Sequence, residues 1–154
     1  MADDLKHLYR EGISHALGRF QLLEEGLKTY IGVYHKTVSA VLNGRLHCGY
    51  DQSDVQEAPL GRLLTVFAKI CSNEELLAEM RSLVKHRDLA AHQAFICLYG
   101  PGPGDQKLIE MSSANAKLGT RLSLLLPRLH QEMLKVCEVL ETFGSVERDG
   151  ARAA

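Results

Sequence analysis

The chain has no tryptophan, and only four prolines and four cysteines in 154 residues. Aromatic residues make up 6%, so a core must be built mainly from aliphatic side chains. The N-terminal stretch MADDLKHLYREG lacks an apolar leader, and no apolar run approaches the roughly 20 residues of a membrane-spanning helix. A cytoplasmic protein without membrane contact is the expectation. Charge of one sign is also missing: 18 Lys and Arg face 19 Asp and Glu. That balance excludes the global basic field behind tight, non-specific nucleic-acid binding, so any such contact must be local. Cys48, Cys71, Cys97 and Cys137 are widely separated, and three of them fall inside apolar helical patterns. They read as reduced thiols, not as a disulfide framework or zinc knuckle.

What is present is helical period. A chain of this length fits one domain and can bury about two thirds of its unfolded surface. Tyr9, Ile13, Ala16, Phe20, Leu23, Leu27, Ile31, Tyr34, Val38 and Val41 recur every three or four residues, which predicts a long amphipathic first helix ending near Asn43-Gly44. Gly12, Gly18, Gly26 and Gly32 interrupt it, each costing about 1 kcal/mol relative to Ala, so a bend or break is expected. Residues 45–59 are polar and rich in turn formers and read as the longest loop. A second helix follows over 60–71. Ser72-Asn73-Glu74-Glu75 then supplies a cap and first-turn acids for a third. Gly100-Pro101-Gly102-Pro103-Gly104 ends that helix by Tyr99; it is no phosphate-cradling loop, because it lacks the strand-then-helix context. Residues 107–111 are ambiguous between a strand and a frayed helix start. From Ser113 a last helix carries Leu118, Leu122, Leu125, Leu129, Met133, Val136, Leu140 and Phe143, with a kink expected at Pro127. The prediction is an all-α four-helix bundle over 1–143, with a long first helix, a Pro-kinked last one and a disordered tail at 144–154.

One residue breaks this pattern. Along the third helix Leu76, Leu77, Met80, Leu83, Val84, Ala91, Ala94, Phe95 and Leu98 share an arc, and Arg87 lies in its middle. A guanidinium keeps its proton, so burying it costs several kcal/mol unless a carboxylate, phosphate or carbonyl meets it. Glu24 on the first helix is a candidate partner. His92 follows five residues later, a residue type suited to proton transfer near neutral pH. Asp88 and His92 are four apart on one face, where the carboxylate would orient the imidazole. Ala90, Ala91 and Ala94 leave room for another helix to approach. A purely structural arginine, bonded to a carboxylate or a helix end beside a solvent-facing histidine, accounts for the same residues.

Other chemistries fit less well. Paired Glu-x-x-His segments for a di-metal bundle do not occur. His86 and His92 point about 120° apart on a regular helix, and His47-Cys48 stands alone. Neither a metal nor another cofactor is expected. None of the cysteines or serines sits in a nucleophile motif.

The run Arg87-Asp88-Leu89-Ala90-Ala91-His92, an arginine and a polar residue separated by three residues from a histidine, resembles the motif of the HEPN domains (higher eukaryotes and prokaryotes nucleotide-binding). Its setting, late in the third helix of a predicted four-helix bundle, is similar as well. The resemblance is carried by about residues 60–99, with weaker similarity around Phe20-Gln21-Leu22-Leu23-Glu24. It implies a homodimer whose two motifs line one cleft, and a metal-independent endoribonuclease of toxin or defence type acting through the RNA 2′-hydroxyl. His92 would transfer protons, Arg87 clamp charge and Asp88 orient, with Arg81, Lys85 and His86 as a basic substrate-binding rim. An antidote or adaptor protein would be a further partner. The same resemblance also covers non-catalytic dimeric adaptors and nucleotide- or RNA-binding modules. Two departures stand out: Asp88 occupies a position where many active members have Asn, and Ala94 one where a subfamily has a modified Tyr. Control by that modification is therefore not expected.

Overall fold

The computed structural model describes residues 2–42, 52–99 and 103–150. Among them every regular element is a helix: α1 (Ala2–Val41), α2 (Gln52–Gln56), α3 (Leu60–Ile70), α4 (Glu74–Tyr99) and α5 (Asp105–Gly150). The all-α class and the long first helix follow the period of the sequence. Several boundaries do not. α1 is continuous through its four glycines, because its apolar stripe is held along most of its length and tertiary packing outweighs local propensity. A short α2 occupies part of the segment expected to be a loop; residues 43–51 lie outside the described residues. α5 begins at Asp105 and absorbs 107–111, since Leu108 is buried against Tyr9, Ile13 and Ala90. Its backbone stays helical to Gly150, past the point where the tail was expected to begin; 151–154 lie outside the described residues. Pro127 sits inside α5, where its missing N–H removes the helical bond to the Ser123 carbonyl.

The two long helices run parallel. Gly12 faces Asn115, Arg19 lies over Gly119 and Gly26 faces Leu129, so position along α1 and position along α5 rise together. A side chain at Gly26 would place its Cβ 3.0 Å from Leu129, which shows how close the helices come at that level. α4 runs the other way. Arg128 of α5 pairs with Glu75 and Glu79 near the start of α4, and Arg121 donates to Ser82 further on. Near the end of α4, Ala90 meets Leu108. α3 closes the other side, with Tyr30 and Phe67 edge to face at 4.9 Å.

The main core joins Phe20, Leu23, Leu27 and Ile31 of α1, Leu63 and Phe67 of α3, Leu76, Met80 and Leu83 of α4, and Leu122, Leu125 and Leu129 of α5. A smaller cluster of Tyr9, Ile13, Ala90 and Leu108 sits at the far end of α4. Each fully buried aliphatic side chain contributes about 1.5–3 kcal/mol. The stripes of α1 and α5 outrun this core. Val41 and Phe143 are exposed, and an apolar groove of about 420 Å³ opens between the two helices beside Tyr34, Val38 and Val136. No helix among the described residues is long and apolar enough to cross a membrane.

Asn73 ties the start of α4 to α5. Its Oδ1 accepts from the Leu76 N–H at 3.0 Å, and its Nδ2 donates to Glu132 Oε1 at 2.8 Å. Lys135 donates to the same oxygen at 2.8 Å. The Lys135 hydrogen bond first, and the Asn73 bond second, hold the Glu132 carboxyl below its ordinary value, against the opposing effect of burial. On α1, burial pushes His35 below the ordinary histidine value. Both shifts act in the same direction. Each group binds fewer protons in the folded chain than in the unfolded one, so stability is full above the ordinary values and falls as acid is added. The decline should begin as pH drops below 6.5 through His35 and deepen below 4.5 through Glu132. Urea unfolding across pH should show this, with the lower part flattened in Glu132→Gln. Asn73→Ala should cost about 1–2 kcal/mol at neutral pH through the lost cap and the lost bond to Glu132.

Candidate functional site

α4 lies across the parallel pair, and the period of its sequence sorts its side chains into flanks. Leu76, Met80, Leu83 and Ala90 point inward and are buried. Arg87 projects from the same inner line, yet its side chain is 39% exposed. Burial of the guanidinium is therefore partial. Arginine's stem covers apolar surface while its head reaches the edge, and here the edge is the seam with α1. The partner is Glu24, as expected, with Arg87 Nη2 3.6 Å from its Oε1. Glu24 itself is only 19% exposed, so Arg87 serves as counter-ion to a largely buried carboxylate.

Asp88 also turns to Arg87, its Oδ1 3.2 Å from Nη1, and does not engage His92. His92 is exposed and has no hydrogen-bond or ion-pair partner among the described residues. Within one chain the three motif residues thus form a paired Glu24-Arg87-Asp88 unit with a detached imidazole beside it. The separation follows from helix geometry: five residues place Arg87 and His92 about 140° apart with a rise of about 7.5 Å. Arg87 meets two carboxylates, so the chain on its own offers a neutralised clamp.

The surrounding residues divide in the same way. Arg81 and Lys85 are exposed on the outer face of α4. His86 instead turns toward α5, where it lines a cavity with Asn115, Lys117 and Arg121. Of the expected rim, Arg81 and Lys85 do not line that cavity. The alanines also find a different use. Ala90 is buried against α1 and α5 of its own chain, so it is not available to receive a second copy, and Ala94 packs partly on the same cluster. Phe95, placed on the inner arc by the sequence, is 62% exposed. With Leu89 at 52% and Ile96 at 42% it makes the outer face around His92 apolar.

No family model, no curated protein and no solved structure matches this chain. Site chemistry therefore rests on its own residues. Among the described residues no three His, Cys, Asp or Glu side chains cluster as a metal site would require; His47 and Cys48 lie outside them. The sequence reading missed Asn115, Lys117 and Arg121. Lys117 and Arg121 stand one turn apart, a spacing that does place two cations on one face, but only the packing of α4 on α5 brings His86 to them.

The Arg87–Glu24 pair is part-exposed, so its coupling should be modest. A double-mutant cycle with Glu24→Gln and Arg87→Gln, followed by urea unfolding, should give a coupling of about 0.5–1 kcal/mol. Coupling indistinguishable from zero would mean that Arg87 does not hold Glu24 in solution.

Proposed function

We propose that the chain is a HEPN-like protein, with α1, α3, α4 and α5 as its four-helix arrangement, that works as a homodimer and cleaves RNA without metal. The observation that carries this reading is the end of α4. His92 stands on an exposed face flanked by Leu89, Phe95 and Ile96, one turn of helix beyond Asp88 and five residues beyond Arg87. Exposed apolar side chains gathered around a polar motif mark a surface that another protein covers. A second copy would supply what one chain lacks, an additional imidazole facing the arginine pair across a two-fold axis.

In this reaction the RNA brings its own nucleophile. The 2′-hydroxyl proton passes to the imidazole of one copy's His92, the 2′-oxygen bonds to phosphorus, and the P–O5′ bond breaks. The departing 5′-oxygen takes a proton from the imidazolium of the second copy's His92. Arg87 stabilises the charge on the non-bridging oxygens, which requires it to loosen its contact with Asp88 when RNA arrives. The products are a 2′,3′-cyclic phosphate and a free 5′-hydroxyl.

A second reading is supported by a specific observation. Arg87 already has two carboxylates within salt-bridge distance, an arrangement suited to a structural counter-ion, so the same dimer would act as a non-catalytic adaptor or nucleotide- or RNA-binding module. The two are separated by incubating purified protein with RNA in EDTA. The nuclease reading expects cleavage to persist in chelator, to spare DNA and to leave a 2′,3′-cyclic end. His92→Ala should slow it by about 10²–10⁴-fold with the fold intact. Sedimentation should show a dimer, weakened by Phe95→Glu. A monomer, or equal activity in wild type and His92→Ala, would sink the nuclease reading; a dimer inactive on RNA would leave the adaptor.

A further inference from the structure

The cavity between α4 and α5 has a composition that the motif does not account for. Its volume is about 350 Å³, at the lower end of the roughly 300–1,000 Å³ typical of small-ligand sites. Its polar lining is His86 and Gln93 of α4 and Asn115, Lys117 and Arg121 of α5, and the other half of the lining residues are apolar. No carboxylate lines it. This is unusual in a chain whose acids outnumber its bases, 19 to 18, and whose Arg87 and Arg128 are both met by carboxylates. Arg121 is instead anchored by a neutral group: its Nη2 donates to Ser82 Oγ at 2.8 Å, which positions the guanidinium without neutralising it.

Asn115 is the second, independent observation. It is 5% exposed, it lines the cavity, and its Nδ2 has no hydrogen-bond partner. Buried amide donors are almost always satisfied, and an unpaired one on a residue that lines a cavity gains an acceptor when its side chain turns toward a bound anion. Lys117 and Arg121 bring charge from the next turns of the same helix, and His86 and Gln93 add donors from the facing one. Several donors converging from two sides, with fixed positive charge and no competing acid, suit an oxyanion with acceptors on several sides. We propose that this cavity binds a phosphate group. The site lies on the α5 flank of α4, whereas Arg87 meets Glu24 on the α1 flank. It stands whether or not the protein cleaves RNA.

The test is a titration of ¹⁵N-labelled full-length protein with inorganic phosphate against chloride at constant ionic strength. The expected result is a saturable shift of the Asn115 side-chain amide signal, together with backbone shifts around 86–93 and 115–121. Lys117→Gln, an exposed position whose loss leaves the core untouched, should weaken phosphate binding by about tenfold, as loss of one charge-assisted contact implies. Asn115→Asp, nearly isosteric but repulsive to an anion, should abolish it, with circular dichroism confirming the fold. A saturable shift that survives both substitutions, or no shift at all, would overturn the proposal. A competing arm with a short single-stranded RNA identifies the source. Displacement of phosphate assigns the group to an RNA backbone, and its absence to a free phosphate or small phosphomonoester; the site is supported in either case. Because the readout is binding, its failure is distinct from a failure to cleave RNA.

Discussion

The parallel packing of α1 on α5 is the constraint from which the rest follows. Two neighbouring helices of this length joined by a short turn would have to run antiparallel. Parallel alignment obliges the intervening chain to travel back along the pair before α5 can start. α4 makes that return, and so lies across the groove between the long helices with one flank against each. α3 fills the remaining side of the core through Phe67 and Leu63. Every position on α4 acquires its environment from this crossing: inward residues enter the core, one flank meets Glu24, the other meets Lys117 and Arg121, and the back faces away.

The electrostatics respect the same division. Arg128 holds Glu75 and Glu79 at the start of α4, and Arg87 holds Glu24 and Asp88 towards its end. These contacts join α4 to its two long neighbours with partly exposed ion pairs, which contribute little each but fix the register between helices. On the α5 flank, Lys117 and Arg121 have no carboxylate partner among the described residues. A nearly neutral chain therefore has a locally positive cavity, although its net charge of −1 gives no sign of one.

Some features were legible in the residues alone. The three-to-four spacing from Tyr9 to Ile31 and from Leu118 to Leu129 named the buried faces of α1 and α5, because burial of an amphipathic helix must follow its apolar stripe. The Arg87 anomaly and its pairing with Glu24 were legible for a similar reason: a charge on an apolar line needs a counter-charge from the helix it faces. Boundaries were harder. Residues 107–111 are too short a run beside the turn formers at 100–104 for their period to decide, and the contact of Leu108 with Tyr9 and Ile13 commits them to α5. The glycines of α1 predicted a break because local propensity omits the packing that holds the helix straight through them.

By itself, the sequence determined the all-helical class, which face of each long helix is apolar, the cap at Asn73 within the predicted tetrapeptide, and the presence of an arginine out of keeping with its neighbours. These depend on period and residue type, which are local. Only the tertiary structure decided that α1 and α5 run parallel, that Ala90 is consumed by its own core, that Phe95 faces outward, and that His86 joins Lys117 and Arg121 around Asn115. Those depend on which helix lies against which, and side chains separated by tens of residues carry no mark of their future neighbours until the chain has folded.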